Sequence, residues 1–272
     1  MKCLNAIAFY ENKEEVKAYI EEVAAIGKEL VDIVLIVNSD KNAQVPLLVQ
    51  ELHAEGITGV HVLEYGDNVG YLNALLKPIQ SMDLNEYDFY ILSNTDIHYD
   101  STDFFQRLLT ANYSPDIGCV APCVYATISN SYSNPHYLER VPREKLERLI
   151  KIFRHPWLAQ MYLWLAGLKA GKTKAGKRPS CYVYSPHGCY MIFTKEFIRR
   201  ICGYEYGVRL YSEESAVGEL LKREGMRCYY DETLLVIHQE SSVTGKLNQK
   251  KRFSAWRESL EYILNTFYGQ GA

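Results

Sequence analysis

The stretch YILSNTDIHYD, residues 90–100, changes from apolar to polar within a few residues. Tyr90–Leu92 predict a buried strand, and small polar residues then lead to Asp96. Two interpretations fit this pattern. The polar residues hold a metal and a substrate beyond the strand end, or they lead into the N-terminus of a helix near Asp100.

The first half of the chain predicts βαβ units. Short apolar runs alternate with amphipathic ones, which is typical of an α/β fold with a mostly parallel sheet flanked by helices. The run VGYLNALLKPIQSM (69–82) predicts a helix led by a loop that contains Gly70. The predicted strands are LNAIAFY (4–10), VDIVLIV (31–37), GVHVLEY (59–65), YDFYILS (87–93) and IGCVAPCVY (117–125).

The last third returns to regular structure. GCYMIFT (188–194) predicts a strand, and MRCYYD (226–231) and LLVIH (234–238) predict two short strands. A helix is expected from Glu213 to Gly225, and a final helix over 248–267.

The middle of the chain is basic. Residues 148–195 contain nine lysines and arginines and no acidic residue. Within them lies HPWLAQMYLWLAGL (155–168), whose apolar run is too short to span a bilayer. Two interpretations remain open: a buried helix followed by a flexible basic loop, or an interfacial helix with Trp157, Tyr162 and Trp164 at the lipid headgroups.

Composition sets broad limits. The chain has 272 residues, which suits one large domain or one domain with an insertion. The first fifteen residues do not resemble a signal peptide, and seven cysteines without zinc-like pairing favour buried thiols in a reducing cytosol. The 22 tyrosines suit a sugar or nucleotide cleft, or simply reflect a tyrosine-rich composition. Nucleic-acid binding is disfavoured, because no base-reading module is present.

Polar residues follow four of the predicted strands. Ligands of open α/β sheets bind beyond the carboxyl ends of the strands, so these positions favour a polar ligand. No dinucleotide fingerprint or P-loop is present, so a bound diphosphate would need a hard cation, for which Asp96 is a candidate ligand. The residues concerned are Phe9–Asn12, Asn38–Asp40, Asp67–Gly70 and Ser93–Asp96.

Two further candidates lie in the second half. Glu213 and Glu214 stand together at a predicted helix start, where one carboxylate caps the helix and the other can act as a general base. His238 ends the run LLVIH beside Gln239, and is either a metal ligand or a structural histidine.

Several motifs occur in the order found in one enzyme family: NVGYLN, SNTD, HGCYMIF, YSEES followed by LLKREG, and YYDETLLVIHQESSVTG. The sequence resembles family 2 glycosyltransferases with the GT-A fold. Within the family it is most similar to bacterial O-antigen, capsular polysaccharide and rhamnosyltransferase-like enzymes. The resemblance covers 3–125 and 183–245. It implies a single domain over 1–272, with a nucleotide-sugar half (1–125), a helical basic insertion (126–182) and an acceptor half (183–272).

The resemblance also implies roles for individual residues. Glu214 would deprotonate the acceptor hydroxyl, with Glu213 as the alternative base. Asp96 and His238 would hold Mg²⁺ or Mn²⁺ beneath the diphosphate, with Asn94 where the family has a first acid and Asn38 where it commonly has Asp. The residues expected to line the donor and acceptor sites are Tyr10, Asn12, Asn38, Asn68, Gly70, Asn73, Asn94, His187 and Gly188.

The expected activity is inverting transfer from a nucleotide-sugar to a glycan or lipid-linked saccharide. Such a protein is expected to be cytoplasmic, with residues 148–178 facing the acceptor or the inner membrane leaflet. Two alternatives remain open. One is a nucleotidyltransferase, although FYENKEE lacks the Gly-rich loop such enzymes carry after the first strand. The other is a non-catalytic carbohydrate-binding homologue, which Asn94 favours.

Overall fold

The computed structural model describes residues 1–9, 12–38, 44–170, 176–240 and 249–269. The strands are β1 (Cys3–Phe9), β2 (Val31–Val37), β3 (Val60–Glu64), β4 (Phe89–Ser93), β5 (Ile97–Tyr99), β6 (Ile117–Ala126), β7 (Ser131–Tyr132), β8 (Cys181–Val183), β9 (Tyr190–Thr194) and β10 (Arg227–His238). The helices are α1 (Lys13–Gly27), α2 (Gln44–Ala54), α3 (Asn73–Leu76), α4 (Phe104–Thr110), α5 (Arg143–Phe153), α6 (Pro156–Ala170), α7 (Lys195–Ile201), α8 (Glu213–Arg223) and α9 (Gln249–Phe267).

The described strands form a single sheet in the order β3-β2-β1-β4-β9-β6-β10-β5, with β7 beside β6 and β8 beside β10. Strands β3, β2, β1 and β4 are parallel, and so are β6 and β10. Strand β9 runs antiparallel between β4 and β6. Its first residues therefore lie at the same sheet edge as the carboxyl ends of the parallel strands.

Each face of the sheet is covered by a hydrophobic cluster. One cluster includes Leu4, Val34 and Leu92, and the other includes Ile7, Leu35 and Ile91. Alternate residues of one strand point to opposite faces, so burial on both faces requires continuous apolar runs such as VDIVLIV. The predicted α/β fold with a mostly parallel sheet flanked by helices is confirmed.

The helix predicted over 69–82 is wrong in extent. Only Asn73–Leu76 is α-helical, and one 3₁₀ turn follows at Pro78–Gln80. Proline has no backbone N–H and its ring clashes with the preceding turn, so the α-helix cannot continue through Pro78. Residues before Asn73 form a loop that carries a hydrogen bond from Tyr71 N to Arg209 O at 3.1 Å.

The two strands predicted at 226–231 and 234–238 are one strand, β10. Its pairing with β6 shifts register between Asp231 and Leu235, where the backbone bulges. The Asp231 carboxylate accepts hydrogen bonds from Thr233 N and Oγ1, at 2.9 and 2.7 Å. These bonds give the Thr233 backbone N–H a partner within the bulge. The short strands β5, β7 and β8 were not predicted, because two or three residues carry too little periodic pattern.

The spacing of Asn12 and Glu15 predicts a capping box at the start of α1, and this box does not form. Asn12 makes no side-chain hydrogen bond to the helix backbone. Its amide donates to the Glu15 carboxylate at 2.6 Å, and Thr95 Oγ1 donates to the same oxygen. The pair predicted as a helix cap therefore joins α1 to the segment after β4.

The predicted insertion contains the helices α5 and α6, which pack against α9. Phe153, Ala159 and Phe253 form a small buried cluster between them. The final helix agrees with its predicted range, apart from Asn248, which lies outside the described residues. Within the described part of the chain, no helix combines the length and apolar character needed to cross a bilayer.

A buried ion pair anchors α8 to the segment before α5. The Arg140 guanidinium binds both carboxylate oxygens of Glu219, at 2.6 and 2.9 Å, and Tyr184 Oη donates to Glu219 Oε1 at 2.7 Å. Glu219 is buried, and the guanidinium stacks over the Tyr268 ring at 3.8 Å. Such an arrangement is stable only while the carboxylate keeps its partners.

We expect Arg140→Met to lower the free energy of unfolding by about 2–3 kcal/mol, because the buried Glu219 carboxylate loses its bidentate partner. Urea denaturation measures the change. The matched control is the double variant Arg140→Met/Glu219→Met, in which no buried charge remains and part of the loss is recovered. A double variant less stable than the single one would contradict this account.

Candidate functional site

The end of β4 is held by buried hydroxyl groups. Tyr19 Oη accepts a hydrogen bond from Asn5 Nδ2 at 2.6 Å and contacts the hydroxyls of Ser93 and Tyr99, at 2.5 and 3.0 Å. Tyr99 in turn contacts the hydroxyl of Tyr190 on β9 at 3.0 Å. A connected polar network inside an apolar core fixes geometry, because each member loses a partner if it moves.

Beyond this network, Asp96 meets His238. Asp96 Oδ2 lies 3.3 Å from His238 Nε2, and both side chains are largely buried. The contact follows from the sheet, since β5 begins directly after Asp96 and pairs with the end of β10, with Ile97 opposite His238. Gln239 N also donates to the Asp96 carbonyl at 3.0 Å. Two predicted metal ligands separated by more than a hundred positions are thus adjacent.

His187 lies beside this pair, between His238 and His136. Its ring centroid is 6.1 Å from that of His238 and 5.2 Å from that of His136. Burial lowers the pKa of His187 to about 3, and the neighbouring charges of His136 and His238 act in the same direction. The His187 ring is therefore neutral at physiological pH. Its Nδ1 accepts from Cys189 N at 3.2 Å, so Nε2 carries the proton and can donate to a ligand.

Gly188 brings Glu214 to the same edge. Gly188 N donates to Glu214 Oε1 at 3.1 Å. A Cβ atom on residue 188 would lie 2.6 Å from that oxygen, so a larger residue would displace the carboxylate. The neighbouring thiol of Cys189 has a pKa raised well above its usual range by burial, and then by the charges of Asp96 and Glu214. Both carboxylates therefore act on one position at the start of β9.

Glu213 differs from Glu214 in environment. It is buried at the start of α8, whereas Glu214 is half-buried. Burial raises the pKa of Glu213 to about 8, and the charge of Glu214 adds to the rise. Glu213 is thus protonated near neutral pH, and Glu214 is the member of the pair that can accept a proton.

The backbone before Glu213 is strained. Tyr211 and Ser212 both have positive φ, 74° and 61°, a region that side chains other than glycine rarely adopt. Tyr206 Oη donates to the Tyr211 carbonyl at 2.6 Å, and the hydroxyls of Ser212 and Ser259 are 2.9 Å apart. Strain of this kind persists only where surrounding contacts impose it, and it is concentrated at functional sites.

The loop after β3 is built largely from its own hydrogen bonds. Asn38 Oδ1 accepts from Val69 N at 3.1 Å, and Asn68 Oδ1 accepts from Gly70 N at 2.8 Å. Gly70 has a φ of 86°, and a Cβ there would lie 2.8 Å from the Arg209 carbonyl oxygen. Only glycine fits both requirements.

Asn73 ties this loop to the segment before α8. Its amide nitrogen donates to the carbonyls of Val69 and Tyr206, each at 2.9 Å, and its oxygen accepts from Tyr206 N at 2.9 Å. The side chain is buried and its known contacts are to backbone, so it positions the loop. A direct contact between Asn73 and a nucleotide-sugar donor remains a prediction.

The predicted residues therefore fall into two groups. Asn94, Asp96, His187, Gly188, Glu214 and His238 converge around the start of β9, where Asn94 N donates to the Cys189 carbonyl at 2.8 Å. The others lie in supporting loops: Asn12 at the start of α1, and Asn38, Asn68, Gly70 and Asn73 around the loop after β3. Tyr10 lies outside the described residues.

Three residues at this edge were missed from the sequence. Tyr71 has a buried hydroxyl with no hydrogen-bond partner among the described residues, and burial raises its pKa well above the usual range, with Cys189, Glu213 and Asp96 adding to the rise. The His136 ring lies edge-on to the His187 ring, with the ring centroids 5.2 Å apart. Asn134 accepts from His187 N at 2.8 Å and donates to the Pro122 carbonyl at 2.9 Å. Tyr71 stands inside the quoted motif NVGYLN, but nothing in sequence marks the other two.

The donor atoms at Asp96 and His238 suit a divalent cation in part. A carboxylate oxygen and an imidazole nitrogen are both ligands of Mn²⁺, and Mg²⁺ favours the oxygen. His238 Nδ1 is buried and has no hydrogen-bond partner within the described residues. No group of three or more His, Cys, Asp or Glu side chains suited to a metal occurs in that part of the chain. The residues that the structure describes thus offer two ligands, and a bound diphosphate and water would add others.

Solved structures resemble the fold. The mannosyltransferase PcManGT from Pyrobaculum calidifontis, in complex with GDP-Man and Mn²⁺, matches 89% of this chain with a TM-score of 0.56 and 11% identity. GalNAc-T7, with UDP, GalNAc and Mn²⁺, matches 88% with a TM-score of 0.59 and 14% identity. A mycobacterial protein matches 98% with a TM-score of 0.51 and 12% identity. No protein-family model and no curated protein matches the sequence.

These likenesses confirm the GT-A fold predicted from the sequence motifs. The chain spans 58% of the length of the mannosyltransferase, 43% of GalNAc-T7 and 75% of the mycobacterial protein. At such low identities the comparison establishes the fold alone, and activity has to be argued from the site.

We expect stability to depend on pH through Glu213. Between its ordinary pKa of 4.5 and the raised value of about 8, the folded state binds more protons than the unfolded state. The free energy of unfolding therefore falls as pH rises through this window. Glu213→Gln removes the fall, so relative to wild type it gains at least about 1 kcal/mol between about pH 5 and pH 9.

Urea denaturation of wild type and Glu213→Gln across this pH range measures the difference. Glu232→Gln is the control, because Glu232 is a glutamate on β10 whose side chain is only half-buried. Parallel pH profiles for wild type and Glu213→Gln would refute the assignment of a buried, protonated Glu213.

Proposed function

We propose that the protein is an inverting glycosyltransferase that uses a nucleotide-sugar donor, with Glu214 as general base and Asp96 and His238 as ligands of Mn²⁺ or Mg²⁺. The observation that carries the proposal is the convergence around the start of β9, where Asp96 Oδ2 lies 3.3 Å from His238 Nε2 and Gly188 N donates to Glu214 Oε1 at 3.1 Å. Complexes of two proteins with the same fold, one with GDP-Man and the other with UDP and GalNAc, support the donor class.

Glu214 is suited to act as the general base because it lies at the edge of the sheet beside Gly188, whereas its neighbour Glu213 is buried. A sugar hydroxyl becomes an effective nucleophile when its proton is removed as the new C–O bond forms. Gly188 N holds one carboxylate oxygen of Glu214, and the side chain is half-buried, so the other oxygen can face an acceptor. Glu213 is protonated near neutral pH and serves as the alternative base only in alkaline solution.

The leaving diphosphate requires positive charge and hydrogen-bond donors. When bound, a divalent cation held by Asp96 and His238 would neutralise charge on the diphosphate. The neutral His187 adds an Nε2–H donor near the same place, and its position is maintained by Asn134. One base and no internal nucleophile among the proposed residues favour a single displacement with inversion at the sugar.

The acceptor and the cellular setting belong to the same proposal. We infer a glycan or lipid-linked saccharide acceptor in the synthesis of cell-surface polysaccharide of the O-antigen or capsule type, consistent with the family 2 resemblance. Tyr10, Asn12, Asn38, Asn68, Gly70, Asn73 and Asn94 are proposed to form or support the donor side. His187 and Gly188 are proposed for the acceptor side, and the protein is proposed to act in the cytoplasm, at the inner membrane face.

We expect nucleotide-sugars to raise the melting temperature of the wild type only in the presence of Mn²⁺ or Mg²⁺. A thermal-shift panel of UDP-, GDP- and dTDP-sugars measures this and identifies the base. Asp96→Asn should abolish the metal-dependent part of the shift, because one of two protein ligands is lost. The exposed carboxylate Asp83, which precedes the amino end of β4, provides the control variant Asp83→Asn. An Asp96→Asn shift equal to that of wild type would refute the metal assignment.

We expect Glu214→Gln to lower kcat by about 10²-fold or more while donor affinity stays near that of wild type, because the amide cannot accept the acceptor proton. Glu213→Gln should retain activity within about tenfold at neutral pH. Product release from radiolabelled donor, with saturating donor, measures both. The opposite ranking would assign the base to Glu213. Unchanged transfer in both Asp96→Ala and Glu214→Gln would refute the proposed mechanism, and absence of transfer by the wild type with every donor would favour a carbohydrate-binding role.

A further inference from the structure

Helix α6 exposes an apolar face that no described part of the chain covers. Trp157, Met161, Trp164 and Leu165 are 67, 48, 62 and 45% exposed. At about 100° per residue these positions fall within one arc of about 100° on the helix surface. Other large exposed apolar side chains, such as Leu47 on α2 and Tyr182 on β8, lie on other elements.

The other side of the same helix is packed. Ala159 is fully buried, and Tyr162 and Leu163 contact the cluster formed with Phe153 and Phe253. A helix that is apolar on all sides is normally buried on all sides. Here only one side is buried by the protein, so the exposed face is suited to an apolar environment outside it.

Exposed cationic side chains lie on the segments that flank α6, and together they are called the cationic rim. Arg148, Lys151 and Arg154 are exposed on and after α5, immediately before α6. Gln249 donates a hydrogen bond to Gln160, which sets the basic start of α9, including the exposed Lys251, beside α6. Lys177 and Arg178, beyond the helix, are also exposed. The acidic groups on these elements include Glu261, which pairs with Arg154 at 3.5 Å, and Glu147, which pairs with Arg143 at 2.9 Å.

We propose that the face formed by Trp157, Met161, Trp164 and Leu165 docks on an anionic lipid bilayer surface. Tryptophan side chains favour the headgroup region, and a cationic rim is attracted to anionic headgroups. A second copy of the chain fits less well, because two cationic rims would repel each other. The helix lies in the plane of the interface rather than across the bilayer.

The docking face is connected to the proposed base by one helix. Trp256 of α9 lies 5.2 Å, ring to ring, from Phe153 on one side and from Tyr211 on the other. The hydroxyls of Ser259 and Ser212 join α9 to the residue before Glu213. A bilayer below α6 would thus have a defined position relative to Glu214. Its use to present a lipid-linked acceptor rests on the proposed function, whereas docking itself does not.

Vesicle co-sedimentation of the full chain tests the proposal. Wild type should bind vesicles of phosphatidylcholine with phosphatidylglycerol, and bind vesicles of phosphatidylcholine alone at least about tenfold more weakly, with added salt weakening binding further. Trp157→Gln/Trp164→Gln should lower binding to the anionic vesicles by at least about tenfold. Leu47→Gln, at a 54% exposed apolar residue on another helix, is the matched control and should bind like wild type.

Tryptophan fluorescence gives a second readout, because two of the three tryptophans lie on the docking face. Their emission should shift to shorter wavelength with anionic vesicles and should be quenched by brominated lipid. Equal binding by wild type and the double variant would overturn the proposal. The proposal would also be overturned if the wild type did not bind vesicles and sedimentation showed that it forms a dimer whereas the double variant is a monomer.

Hydrolysis of donor in solution separates this proposal from the proposed function. The double variant should hydrolyse a nucleotide-sugar at the wild-type rate without vesicles, since its substitutions lie outside the proposed site. Vesicle binding without any hydrolysis would contradict the proposed function and leave docking intact. Hydrolysis by the wild type without vesicle binding would contradict docking and leave the proposed function intact.

Discussion

The candidate site depends on one strand that runs against its neighbours. Strand β9 lies antiparallel between β4 and β6, so the residues before it arrive at the carboxyl edge of the parallel strands. The hydrogen bond from Asn94 N to the Cys189 carbonyl, at 2.8 Å, joins the end of β4 to the start of β9. If β9 were parallel, His187 and Gly188 would lie at the opposite edge of the sheet, away from Asp96.

Glycine and burial then set the chemistry of the two glutamates. The absence of a side chain at Gly188 leaves room for the Glu214 carboxylate against the backbone. Glu213, one residue earlier, points into the protein and keeps its proton to about pH 8. Burial thus fixes the protonation state of Glu213, while the adjacent Glu214 lies nearer the surface and against Gly188.

Helix α9 holds the strained segment that carries this pair. Tyr211 and Ser212 keep their positive φ values while Trp256 and Ser259 pack and hydrogen-bond against them. The same helix covers the inner side of α6. The site and the proposed lipid-facing surface therefore both pack against α9. A displacement at one of them can reach the other through the contacts of this helix.

The sequence by itself determined the sheet and its polar edge. Apolar runs such as VDIVLIV require burial on two faces, and the polar residues that follow them locate a site at the strand ends, which is where Asp96 lies. It could not determine the extent of the helix near Pro78 or the continuity of β10, because these depend on contacts with distant segments. Nor could it separate Glu213 from Glu214, reveal the role of Asn73 in joining two loops, or identify Asn134 and His136 as neighbours of His187. Those features depend on burial and on pairing across the sheet, which only the tertiary structure decides, because electrostatic and packing energies depend on distances in space rather than on positions along the chain.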